Sequence, residues 1–289
     1  MLYLTPNRYR TLGTGVDLSE TDDAELRAIL TNASLMANRA AHAPINYSFL
    51  GGTVVNEEHQ WQTGNVYKRP SGRLWPFNRP IREVSGVRIN VTRTNYIDFA
   101  DDQLFTQTDL GYTEPVAAPS TTALFTSVPP WLLTSPVAYV NYTYGWQFDV
   151  VDEPMASYSG YLQADNQFWF SEEDVVLKKN GATVLAADYT VDYTEGTIVP
   201  DATWTDSDEF LVSYSYKLPP DVRTAVQLIA TDLVAQHHIA AAGLIGLSGI
   251  KVEEVELRQS SKVNFAVTPV SPAAQAYLGP YAAMFTSMR

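Results

Sequence analysis

The stretch from Leu218 to Gly249 constrains this chain more than any other. It opens Leu-Pro-Pro-Asp-Val-Arg, and proline is tolerated in a first helical turn because the first amides have no intrahelical partner. Asp221 puts negative charge at the positive end of the helix dipole. Val222, Val226, Ile229, Leu233 and Ala240 recur at near-helical spacing and predict one apolar face of a long helix over 218–247, the surface for subunit packing. Ala225 and Ala230 widen that face, and Ala240, Ala241 and Ala242 form a flat patch for close approach of another helix or subunit. Directly before the helix lies an aromatic strand, Leu211 to Tyr216, so a sheet feeds into a long helix through a Pro-Pro hinge.

The rest of the chain divides around that helix. Thr5-Pro6 reads as a cap and first-turn proline for a short helix over 5–12, and Gly13-Thr-Gly15 as a flexible turn that ends it. Ser19 to Ala41 reads as a second helix with acids in its first turn and Leu26, Ile29, Leu30, Ala33 and Ala37 on one face. Ser271-Pro272 opens a last helix, which Gly279-Pro280 kinks or restarts. Strand-like runs fill the middle, Ile81–Val91 and Ala138–Tyr144 among them, and Asn180-Gly181 between two apolar runs is a hairpin signal. The expected fold is therefore α+β: a small helical bundle of N-terminal, long and C-terminal helices, with a large β-rich insertion. The corresponding regions are a helical part over 1–60, the insertion over 61–217, and a helical part with an extended segment over 218–289.

The insertion contains two candidate repeats, 61–150 and 160–217. Val140-Asn-Tyr-Thr-Tyr144 matches Val212-Ser-Tyr-Ser-Tyr216 position by position in character, and Ile81–Ile89 corresponds to Glu173–Gly181 as an opening strand. Duplication and convergence both explain such short matches, since Tyr and Val are good strand formers.

Charge bounds the partners. The chain of 289 residues has a formal net charge of −13, which disfavours gripping nucleic acid as its main task. From Thr94 to Leu218 there are 19 acids against three bases, Lys178, Lys179 and Lys217. Lys68, Arg69, Arg73, Arg79, Arg82, Arg88 and Arg93 form the opposite cluster, suited to an acidic neighbour. There are no cysteines, hence no disulfides or thiolate metal sites. No secretory signal is expected, because Met1-Leu-Tyr-Leu-Thr-Pro lacks a basic region and a long apolar core, and no membrane-spanning helix, because the uncharged run Ile239–Ile250 is too short for a bilayer.

Chemistry-bearing motifs are lacking. There is no GxxxxGK[ST], HExxH, GxSxG or CxxC. His237 and His238 are adjacent on a helix and point about 100° apart, so they do not share a metal as i,i+4 residues do. The acids of Asp206-Ser-Asp-Glu209 read as a turn, and Glu172-Glu-Asp174 as a solvated strand start. Neither enzymatic activity nor a cofactor is expected.

The order helix, β insertion, long helix after Pro-Pro-Asp, extended segment and terminal helix resembles the head-to-tail adaptor (connector) proteins of long-tailed bacteriophages. The residues that carry the resemblance are Leu2-Tyr-Leu-Thr5 before the helix at Ser19–Ala41; Ala187-Asp-Tyr-Thr-Val191, Gly196-Thr-Ile198 and Trp204 before Val212–Tyr216; then Pro220-Asp-Val222 with Ala225, and Gly249–Val267. It covers the first forty residues and 170–289; residues 60–170 exceed what the family pattern needs. The resemblance implies a structural virion protein of the neck, assembled in the host cytoplasm. Such a protein forms a homo-oligomeric ring, a dodecamer, beneath the portal protein. It joins the DNA-filled capsid to a stopper or tail-completion protein and lets viral DNA pass without sequence recognition. In that setting Val263, Phe265 and Val267 alternate as an edge-pairing strand would, and Met284, Phe285 and Met288 leave an apolar tip. Residues 262–289 are then expected to be mobile in the free protein and to dock on the portal. The alternative is a carbohydrate-binding phage tail or surface protein, motivated by six Trp and 17 Tyr around a β-rich middle.

The apolar face of the long helix generates a first test. Ile229→Asp should abolish folding or assembly, since breaking into a core with an unpaired charge costs about 3–5 kcal/mol; a soluble, assembly-competent variant would contradict the assignment.

Overall fold

The computed structural model describes residues 1–12, 18, 21–60, 76–90, 96–100, 104–107, 112–115, 137–158, 160–171, 173–200, 204–205, 208–241, 250–252, 255–257 and 270–286. The chain is α+β, with three four-stranded antiparallel sheets and four helices among these residues. It divides into two compact units. One is contiguous, Asn46–Gln147; the other is built from both flanks, Met1–Ile45 and Phe148–Arg289.

In the contiguous unit, strands β1 (Gly52–Gln60), β2 (Ile81–Asn90), β3 (Tyr96–Ala100) and β6 (Val137–Tyr144) form one sheet in the order β1-β6-β2-β3. A hairpin of β4 (Leu104–Gln107) and β5 (Tyr112–Pro115) lies between β3 and β6 in sequence. Along β6 every second residue is buried: Ala138, Val140, Tyr142 and Tyr144. The opening strand of this unit is β1, which lies inside the segment 1–60 that the sequence reads as helical. Its alternation is broken by a bulge, where Val55 and Asn56 together oppose the single residue Asn141. Asn56 takes a left-handed φ of 55° there, and its amide donates to the Asn141 side chain at 2.7 Å.

The second unit holds the helices and two sheets. Strands β7 (Phe148–Pro154), β10 (Val176–Lys179), β11 (Ala182–Thr183) and β14 (Phe210–Tyr216) are ordered β11-β10-β14-β7. Strands β8 (Ala156–Tyr158), β9 (Tyr161–Gln163), β12 (Tyr189–Asp192) and β13 (Thr197–Pro200) are ordered β12-β13-β9-β8. Leu162, Tyr189 and Ile198 from the second of these sheets meet Leu177, Phe210, Val212, Tyr214 and Tyr216 from the first in one core, with Trp169 stacked on Tyr214 at 4.1 Å between ring centres. Asn180 and Gly181 both have positive φ, as the two-residue turn between β10 and β11 requires.

The first sheet of this unit matches the sheet of the other unit strand for strand. First, last, second and third strands lie side by side in each, β1-β6-β2-β3 and β7-β14-β10-β11. The edge strand bulges at the same place. Val151 and Asp152 oppose Ser213, Asp152 has a φ of 53°, and its amide donates to Ser213 Oγ at 3.0 Å. The residue after each bulge is a glutamate that accepts from the buried tyrosine of the central strand. Tyr142 donates to Glu57 Oε2 and Tyr214 to Glu153 Oε2, both at 2.5 Å. Each glutamate's other oxygen takes a loop amide, Phe77 N at 2.9 Å and Asp165 N at 2.6 Å.

The helices are α1 (Pro6–Thr11), α2 (Asp23–Ala40), α3 (Pro220–Ala241) and α4 (Pro272–Thr286). Thr5 caps α1 ahead of its first-turn proline, and Asp22 caps α2 by accepting from Glu25 N at 2.7 Å. Helix α3 packs on α2 and α4. Leu26, Leu30, Ala33 and Ala37 of α2, Val222, Ala225, Val226, Ile229 and Val234 of α3, and Ala274, Leu278 and Phe285 of α4 are buried. Helix α4 runs through Gly279-Pro280 rather than restarting there. No helix among the described residues is long and apolar enough to cross a membrane.

Glu57 has a lowered pKa. Burial pushes it up, but the hydrogen bonds from His59, Tyr142 and the Phe77 amide outweigh burial. Its folded pKa lies below the unfolded one, so its contribution to stability is full above the unfolded pKa and is lost as pH falls through the folded one. Glu57→Gln should therefore be less stable than the native protein at pH 7, with the gap closing toward pH 3 in denaturant titrations. Parallel stability profiles for the two proteins would refute the clamp's role.

Candidate functional site

The candidate site lies where α1 meets the sheets of its own unit. Residues 164–170, which connect β9 toward β10, carry little regular structure and are held by side chains. The Trp169 indole N–H donates to Asn166 O at 2.8 Å, and the Phe168 and Trp169 amides donate to Thr194 O and Tyr193 O at 3.1 and 2.7 Å. Gly196 closes the facing turn with φ +65°, and a Cβ there would come 2.1 Å from Asn166 O. Only glycine fits both that conformation and that approach.

Onto this loop converge polar groups from two helices. Gln167 Nε2 donates to Thr5 Oγ1 at 2.7 Å and to Glu195 Oε2 at 2.9 Å, and Thr5 Oγ1 donates to the same Glu195 oxygen at 2.6 Å. Arg223 of α3 donates to Asp165 O at 2.5 Å and to Asn166 Oδ1 at 3.0 Å, while Arg8 of α1 donates to the same Asp165 carbonyl. Burial and then the neighbouring Arg223 charge push the Arg8 pKa down. Tyr9 and Thr231 hydroxyls meet at 3.0 Å, tying α1 to α3. This polar joint fixes α1 in place over one end of the sheet β12-β13-β9-β8.

On the other side of α1 is an open groove of about 610 Å³. It is lined by Asn7, Arg10 and Thr11 of α1, by Tyr161 and Gln163 of β9, by Thr197 and Val199 of β13, and by Gly160, Asp192 and Glu195 at the strand ends. The pairing explains the lining. Thr197 pairs with Gln163 and Ile198 with Leu162, so Leu162 and Ile198 face the core while Tyr161, Gln163, Thr197 and Val199 share the outer face.

The residues singled out from the sequence fall elsewhere. Val222, Val226 and Ile229 are buried within their own unit, Leu233 is half-buried, and Val234 takes the central position beside it. Phe285 is 4% exposed and Met284 half-buried, so this part of the expected docking tail folds onto its own unit. This helix, α4, packs on α3 and buries Ala274, Leu278 and Phe285. The side chain of Ala240 and residues Val263, Phe265, Val267 and Met288 lie outside the described residues. Asp208 accepts from Thr205 N at 3.0 Å, Asn180 Nδ2 at 2.9 Å and Lys179 Nζ at 2.8 Å. These bonds, that from Lys179 foremost, hold its carboxyl far below the usual range in a turn. His237 pairs with Glu25 across α3 and α2 at 2.7 Å. Among the described residues no group of three or more His, Asp or Glu side chains is placed to hold a metal ion.

Sequence reasoning missed the groove residues. Their signal was there in two short alternations, Tyr161-Leu-Gln163 and Thr197-Ile-Val199, but α1 stands about 150 positions away from them in the chain. The chain matches no protein-family model and no curated protein.

The turn at Gly196 carries the joint, and Gly196→Ala tests it. The strained left-handed conformation alone costs on the order of 1–3 kcal/mol, and the approach to Asn166 O adds to it. Denaturant unfolding of the variant should show that loss, with hydrogen-exchange protection falling first in residues 160–200; native-like stability would show that the turn relaxes freely.

Proposed function

We propose that the protein is a structural subunit of a phage neck, a head-to-tail adaptor that forms a ring beneath the portal and passes DNA to a stopper or tail. The observation that carries the reading is the outer face of α4. The helix contains no charged residue over its 15 positions, and Ala273, Ala276, Tyr277, Pro280 and Ala283 are exposed in a chain whose net charge is −13. An uncharged, small-residue helix face suits close packing against a neighbouring subunit or the portal. In this reading Phe285 anchors the helix from within, and the outward residues make the contact.

The arrangement of the chain supports the same reading. Helices from the two flanks pack together, and the sheets are strung between α2 and α3, as a helical bundle with a β insertion requires. The extra length relative to the adaptor pattern is a second copy of the β unit. The shared strand order, the Val-Val-Asn-Glu57 and Val-Val-Asp-Glu153 bulges and the paired tyrosine clamps favour duplication over convergence. The acid excess of residues 94–218 suits a channel wall that does not hold a polyanion.

Native mass spectrometry, alone and with portal, tests the assembly. The 32.0 kDa chain should form a closed ring, and Ala276→Glu with Ala283→Glu should leave a folded protein that no longer assembles. A protein that stays monomeric with portal present, or a charged variant that assembles as before, would overturn the reading. The ring should also show no salt-sensitive shift of duplex DNA at low ionic strength; tight binding through residues 94–218 would contradict the channel role.

A further inference from the structure

The groove beside α1 has a chemistry that the adaptor role does not use. Across the outer face of its sheet, register places Asp192, Thr197, Gln163 and Ala156 in one row and Thr190, Val199, Tyr161 and Tyr158 in the next. One row is polar, and the other ends in two tyrosines stacked at 5.2 Å between ring centres and 15° between planes. Gln163 is the central residue of the polar row. It is 6% exposed and lines the groove, and its side-chain amide has no hydrogen-bond partner among the described residues. The amide opens into the groove rather than into protein, so a ligand that both donates and accepts at that point can take the place of solvent there.

We propose that this groove binds a neutral saccharide of one to three pyranose rings. The C–H face of a sugar ring lies on Tyr161, and adjacent ring hydroxyls pair with the Gln163 amide, giving a proton to its oxygen and accepting one from its nitrogen. Asp192 and Thr197 stand beside it to accept further hydroxyl protons, and Asn7 and Thr11 close the opposite side from α1. The volume of about 610 Å³ is in the range of small-molecule sites.

Charge selects against anions. Two carboxylates, Asp192 and Glu195, line the groove, and Arg10 is the one cation among its lining residues. The Arg10 guanidinium is turned away to Leu18 O at 3.0 Å, Thr21 O at 2.7 Å and Asp23 Oδ1 at 3.0 Å. A phosphate or an acidic sugar would meet like charge with no unengaged partner. A mainly apolar peptide would offer the Gln163 amide no partner.

Isothermal titration and ligand-observed NMR with chitotriose and with maltotriose test the proposal on the full chain. At least one should bind with a dissociation constant of about 1 mM or tighter. Gln163→Met keeps the volume and removes the amide; it should weaken binding at least tenfold while the near-ultraviolet spectrum and melting stay native. Tyr161→Ala should do the same, and Tyr277→Ala, on the outer face of α4, should bind as the native protein does. If neither trisaccharide binds at about 10 mM, or if Gln163→Met binds as tightly as the native chain, the groove is not a saccharide site. A variant of the α4 face that loses the ring yet keeps the sugar affinity separates this inference from the assembly reading.

Discussion

A tyrosine buried in the middle of a sheet brings with it a hydroxyl that must find an acceptor. Both central strands of this protein face that constraint, at Tyr142 and Tyr214, and both meet it in the same way. The edge strand inserts one extra residue, an Asn or Asp turns left-handed, and the following glutamate accepts the hydrogen bond of the phenol. Burial and then the hydrogen bond to the carboxylate keep each tyrosine protonated far above its ordinary range. The same glutamates hold the loops that precede β2 and β10, so the clamp sets both the register of a strand and the path of a loop. In the helical unit that loop is the platform on which Arg8 and Arg223 converge, and through them α1 and α3 are positioned.

What the sequence shows and hides follows from that device. Helices with an apolar period and a visible cap are plain in it: Thr5-Pro6 and Pro220-Asp221 each start one, whereas the second helix, read as starting at Ser19, is capped by Asp22 and runs from Asp23. So are the central strands, because Val140 to Tyr144 and Val212 to Tyr216 alternate without interruption. The bulged strands β1 and β7 are not, because an extra residue shifts the period by one and puts two valines side by side. Val-Val-Asn-Glu57 and Val-Val-Asp-Glu153 are nonetheless the most direct trace of the repeat. The tyrosine match alone fits any good strand, whereas a polar, left-handed residue followed by an acid has no general reason to recur in a strand.

The groove was hidden for a different reason. Its walls come from α1 and from strands more than a hundred residues further on, and its key residue, Gln163, is one half of a three-residue alternation. Polar residues in so short a strand read as solvent-facing. Gln163 shares the groove with residues of α1, and the placement of that helix depends on contacts such as Thr5 with Glu195 that no local pattern announces. Of the expected apolar tip, Phe285 and Met284 are described. Phe285 is buried in the core of its own unit, and the surface of α4 left facing outward is uncharged and rich in small residues.

The division of the chain also sets the order in which it is able to fold. Residues 46–147 are a contiguous unit, whereas α2 buries its apolar face on α3 and α4, which follow the whole β-rich middle in the chain. On the ribosome, α1 and α2 therefore emerge before α3 and α4, and Leu26, Leu30 and Ala33 stay uncovered while the β-rich middle is made. The helical unit is complete only once α4 has been released from the exit tunnel. Helix α4 packs on α3 only after it has itself left the tunnel, so among the described helices its outward face is set in place last.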